Sequence, residues 1–145
     1  MVTGYVWQNS RDIAVARLNS DGTLDASFGT GGLVILGAQD LDESSDALII
    51  LPDGRILLAG EVEMNDGGSD FALTMLLGDG NVDFSFQQFG WQTTDFAGGE
   101  DAPEAMIFTG AKLIVAGSIF DANEDFGLAR YSFPRPKLGP PRLGR

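Results

Sequence analysis

Cysteine and histidine are both missing from this 145-residue chain. Disulfides, thiol nucleophiles, zinc sites and imidazole acid–base catalysis are therefore excluded. No stretch approaches the roughly 18 consecutive apolar residues of a membrane-spanning helix, and no basic segment followed by an apolar core opens the chain. The expectation is of no membrane insertion and of no signal peptide within these residues. Cations are scarce as well. Residues 1–130 carry 21 acidic against 5 basic groups, and Arg135, Lys137, Arg142 and Arg145 all fall in the last dozen positions. A body so acidic repels DNA, RNA and anionic lipid, which excludes nucleic acid as a partner. Net charge of this size also discourages precipitation, and solubility accounts for it more simply than a cation-binding role does.

What the chain does contain is itself, repeated. The stretch Asp12-Ile13-Ala14-Val15-Ala16-Arg17 returns at Asp70-Phe71-Ala72-Leu73-Thr74-Met75 and again at Asp125-Phe126-Gly127-Leu128-Ala129-Arg130, at intervals of 58 and 55 residues. Asp21-Gly22 and Leu24 to Phe28 recur as Asp79-Gly80 and Val82 to Phe86. Ala47 to Leu51, the turn Pro52 to Arg55, and Ile56 to Gly60 recur as Ala105 to Phe108, a shorter turn, and Lys112 to Gly117. The offset slips by one residue at a turn, where indels are best tolerated. Similarity over so long a period marks a whole folding unit, stacked or set radially against its neighbours.

Short apolar runs bounded by Asp-Gly turns read as strands, because glycine supplies the positive φ that tight turns need. Ala47 to Leu51 and Ile56 to Ala59 are apolar at consecutive positions, which suits strands covered on both faces. Each unit then supplies about four strands, ending near Leu51, at Ala59-Gly60, over Phe71 to Met75 and near Trp91 to Thr94; that is the content of a propeller blade. The reading is an all-β fold of antiparallel propeller-like blades, about two and a half units in an incomplete ring. Residues 1–133 form the repeat domain, with units anchored at Asp12, Asp70 and Asp125. Positions 134–145, rich in proline and arginine, read as a disordered tail or linker.

The run from Asp12 to Gly32, with Arg-Leu-Asn-x-Asp-Gly-Thr-Leu-Asp-x-Ser-Phe-Gly at its centre, resembles the delta-60 repeat of bacterial proteins, and Leu51 to Gly60 resembles that repeat's second half. The resemblance implies a β-propeller-like module of large bacterial proteins that are often secreted or attached to the surface, with no assigned reaction; it places the chain outside the cell. The second unit has Gln87-Gln88-Phe89 where the first has Gly29-Thr30-Gly31, so a different turn shape is expected there. The third unit stops before any Asp-Gly. Val2-Thr3-Gly4 matches Leu58-Ala59-Gly60, so the chain opens in mid-unit without the strand that should precede it. Either it is a piece of a longer array or other copies cover its end faces, and self-association follows in both cases.

Carboxylates crowd the turns: Asp21 and Asp25, Asp79 and Asp83, and Asp40, Asp42, Glu43 and Asp46. Calcium takes such oxygens, but a turn carboxylate also accepts from backbone amides two residues on, and that needs no metal. Turn fixing is the reading adopted, with no metal, cofactor or catalytic residue assigned and a calcium-stabilised module as the alternative. Asp66-Gly67-Gly68-Ser69-Asp70-Phe71 occurs once, without the periodicity of calcium β-rolls. Paired acids would also serve a glycoside hydrolase, but sequence places no two of them, and the chain is read as not an enzyme. Phe28 and Phe86 share an offset and read as core plugs. Trp7 and Trp91 do not, which leaves them as candidates for an exposed contact with a protein or glycan ligand. The function expected is a noncatalytic structural or adhesion platform.

Overall fold

A computed structural model describes residues 1–37, 41–65, 67–87, 90–96 and 98–132. The reading of 134–145 as a disordered tail falls outside the described residues. Ten strands form: β1 (Val2–Trp7), β2 (Arg11–Ala16), β3 (Leu33–Leu36), β4 (Ala47–Ile50), β5 (Ile56–Glu63), β6 (Ser69–Leu76), β7 (Trp91–Thr94), β8 (Glu100–Phe108), β9 (Lys112–Asp121) and β10 (Asn123–Ser132). The architecture is all-β and propeller-like, with an open sheet. Antiparallel neighbours follow the chain as β1-β2-β3, β4-β5-β6-β7 and β8-β9-β10, and a single parallel pairing, Ser69 with Glu100, joins the second group to the third.

The pairing register recurs with the sequence. Gly4 faces Ala14 on β1-β2, Gly60 faces Ala72 on β5-β6, and Gly117 faces Gly127 on β9-β10. Ile13 opposite Leu36 returns as Phe71 opposite Thr94, and Ala47 opposite Ala59 returns as Ala105 opposite Ala116. Corresponding positions of the repeat are thus paired with one another in successive ladders. The middle blade is the complete one; the first has no strand paired to the outer edge of β1 among the described residues.

The middle blade is buried on both faces because its apolar residues do not alternate with polar ones. Ile56, Leu58 and Leu76 pack toward the first blade with Ile13, Val15, Phe28 and Val34. Leu57, Ala59, Phe71, Leu73 and Met75 pack toward the third with Leu113 and Val115. Phe71 meets Phe96 edge to face at 5.0 Å between ring centroids, a favoured aromatic geometry. Phe28 and Phe86 are both buried, as their shared offset predicts.

One expectation needs correcting, and a second, the different turn shape after Phe86, falls within the described residues only at its first position. Trp91 packs against the cluster between the first two blades, so only Trp7 is exposed; β7 closes the middle blade and carries Trp91 inward. The turn after Phe86 keeps the first unit's backbone at its leading residue, since Gln87 has φ 46° where Gly29 has φ 53°. The fold demands the left-handed conformation there whether or not glycine supplies it. Gln88 and Phe89 lie outside the described residues.

Candidate functional site

The turn carboxylates are taken up by their own turns. Asp21 Oδ1 accepts from Thr23 N (3.0 Å) and Thr23 Oγ1 (2.6 Å), and Asp25 Oδ1 accepts from Ser27 N (3.0 Å) and Ser27 Oγ (2.7 Å). The second unit repeats this with Asn81 on Asp79 and Ser85 on Asp83. Hydrogen bonds that favour the ionised form hold all four carboxyls below the usual carboxylate range: the Thr23 hydroxyl acts first at Asp21, the Ser27 hydroxyl at Asp25, the Asn81 amide at Asp79 and the Ser85 hydroxyl at Asp83. Arg17 braces Asp25 at 2.8 Å and lies over the Phe28 ring at 4.7 Å. Its guanidinium also donates to the Gly78 carbonyl, which ties the first blade to the second.

The acidic run 40–46 does not act as one group. Asp40 lies outside the described residues, Asp42 accepts from the backbone and side chain of Arg11 (2.8 and 3.1 Å), Glu43 is fully buried, and Asp46 is exposed. Arg11 also pairs with Glu61 at 3.3 Å. Burial pushes the Glu61 carboxyl up, against the pull of Arg11. These two residues border a cleft of about 430 Å³ to which all three blades contribute, walled further by Glu63, Ser69, Glu100 and Glu124. Acid dominates its lining.

Among the described residues, three carboxylates converge at one place, and it is not one the sequence singles out. Asp70, Asp95 and Asp101 each bring an oxygen within 4.8 Å of the other two. Asp70 begins the core of β6, Asp95 follows β7, and Asp101 is the second residue of β8. Asp101 is fully buried; its Oδ2 accepts from Phe96 N at 2.8 Å, while its Oδ1 has no hydrogen-bond partner. Asp95 Oδ1 accepts from Gly98 N at 2.6 Å. A signal existed in the repeat: at an offset of 58 the first unit has Asp12 and Glu43 for Asp70 and Asp101, but Gly37 for Asp95. The added carboxylate is the departure that marks the second unit.

No helix among the described residues is long and apolar enough to cross a membrane. Residues 1–28 and 51–86, which hold β1, β2, β5 and β6, match a family described as a domain of unknown function (DUF5122) beta-propeller. No curated protein is similar enough to the chain to count as a relative.

Proposed function

We propose that the chain is a noncatalytic repeat module, of the delta-60 kind, that serves as a structural and interaction platform in a larger bacterial protein at the cell surface or outside the cell. The observation that carries this reading is the contrast between equivalent residues. Phe71 and Leu73 are 0% and 1% exposed between two blades, whereas Phe126 and Leu128, their counterparts on β10, are 65% and 54% exposed. Two large apolar side chains at solvent, on a surface whose equivalent is otherwise covered by a blade, favour a further blade or a second copy as the partner. The absence of histidine and cysteine and the commitment of the turn acids to their own backbone leave a surface suited to packing rather than to turnover.

Sedimentation of the full chain across a wide concentration range tests it. Self-association is expected, and the double substitution Phe126→Lys with Leu128→Lys is expected to give a monomer with an unchanged circular dichroism spectrum. A chain that stays monomeric at every concentration, or a double variant that associates like the parent, would overturn the reading.

A further inference from the structure

We propose that Asp70, Asp95 and Asp101 form a calcium site that fastens the segment between β7 and β8 onto β6. Three carboxylate oxygens within 4.8 Å of one another fit on the surface of one calcium coordination sphere, whose opposite ligands stand about 4.6–5.2 Å apart at the usual 2.3–2.6 Å bond length. Three carboxylates drawn so close repel one another when ionised, and a cation among them relieves that repulsion.

The independent observation is Asp101. Its side chain is fully buried, it forms no ion pair among the described residues, and Oδ1 has no hydrogen-bond donor. A charged oxygen left unsatisfied in the interior costs more than a neutral one. A hard cation supplies what the protein's donors do not. Calcium suits the place better than magnesium, since it accepts irregular oxygen cages and the intervening chain carries Gly98 and Gly99, which adapt easily.

The first unit supports the geometry and acts as an internal control. A Cβ placed on Gly37, the counterpart of Asp95, would lie 2.5 Å from Asp12 Oδ1. Position 37 therefore abuts the carboxylate that corresponds to Asp70. Where the first unit leaves that position without a side chain, the second fills it with a third carboxylate, so the second unit has a trio that the first lacks.

The test uses the full chain, freed of metal with chelator and titrated calorimetrically with calcium chloride and, separately, magnesium chloride, with melting curves in parallel. One calcium per chain is expected to bind and raise the melting temperature by several degrees, as selective binding to the native state must. Asp95→Asn keeps an oxygen for Gly98 N and lies at an exposed position, so it should fold normally and weaken calcium binding by about tenfold or more, no less than an outer-shell change does. Asp101→Asn should abolish the calcium response and melt higher than the metal-free parent, because the unsatisfied charge is gone. Asp46→Asn, a remote exposed acid, should leave calcium binding intact. Absence of calcium binding by the parent, equal stabilisation by magnesium, or an unaltered calcium response in Asp95→Asn would each overturn the assignment. Should Asp101→Asn fail to fold, Asp95→Asn decides alone.

Discussion

The guanidinium of Arg55 lies 3.3 Å from Asp83 Oδ2, at a carboxylate only 8% exposed. In the first unit the same brace, Arg17 on Asp25, comes from the residue just after β2. The position equivalent to Arg17 is Met75, which is fully buried. The second unit therefore recruits its arginine from the turn before β5, where Asp53 holds it at 2.8 Å. Asp83→Ala removes the acceptor for the Ser85 amide and hydroxyl and for Arg55 together. It should cost about 2 kcal/mol, as for hydrogen bonds to a charged, buried group. Asp25→Ala, in a more exposed turn, should cost less. Urea unfolding of the two variants measures both.

The depressed turn carboxyls set the acid side of the stability curve. A group whose folded pKa lies below its unfolded value stabilises the native state above the unfolded value, and that contribution is lost as pH falls through the folded one. Asp21, Asp25, Asp42, Asp53, Asp79 and Asp83 all act in this sense. Glu61, pushed up by burial, acts in the opposite sense: its contribution declines as pH rises past the ordinary glutamate range toward its folded value. Six groups against one decide the sign. The melting temperature should fall steeply below about pH 4, and a curve flat through that region would contradict the hydrogen-bonded turns.

Strand positions are legible in this sequence because Ala47 to Leu51 and Ile56 to Ala59 are apolar at consecutive positions and are punctuated by turns that need glycine. The burial of Phe28 and Phe86 is legible because the repeat aligns them. The carboxylate trio is legible only as a departure from the repeat, since Asp95 reaches Asp70 through the pairing of β7 on β6 and Asp101 through the pairing of β6 with the start of β8, relationships that local spacing does not encode. Trp91 misleads for a related reason: lacking a counterpart at the repeat offset says nothing about which face of β7 it occupies.

Gln87 pays for a conformation that glycine adopts freely. Its φ of 46° lies in the left-handed region, which costs a residue with a side chain about 1–2 kcal/mol, while glycine returns part of that through its greater unfolded-state entropy. Gln87→Gly should stabilise the chain by up to about 1 kcal/mol. Gly29→Ala, by contrast, drives a Cβ into the Leu33 carbonyl and to 2.5 Å from Val34 Cγ2, and should destabilise. Thermal melts of the pair, moving in opposite directions, check the shared backbone requirement.

Gly4, Gly60 and Gly117 occupy one position in three successive ladders, but only two of them face a neighbour. At Gly60 the chain entering β4 bulges inward: Ser44 N donates to Glu61 O and Asp46 N to Ala59 O, which leaves Ser44 and Ser45 opposite the glycine. At Gly117 the register of β8 slips between Pro103 and Ala105 in the same way. A Cβ on Gly60 would overlap the Ser44 carbonyl, and one on Gly117 the Ala102 carbonyl; both obstacles are backbone. Backbone cannot yield as a side chain does, so Gly60→Ala and Gly117→Ala should each cost about 3 kcal/mol, the upper end of ordinary overpacking. Gly4 has nothing within 4 Å of the same site, because among the described residues no strand pairs with the outer edge of β1. Gly4→Ala should therefore not lower the melting temperature of the isolated chain, and the smaller unfolded-state entropy of alanine should raise it slightly. If a further unit or a second copy docks on β1 in the register that β4 uses on β5, its bulge meets the new methyl. Gly4→Ala then abolishes association through that edge while leaving the fold intact. Sedimentation and melting of this single variant separate an edge that receives a strand from one that merely faces water.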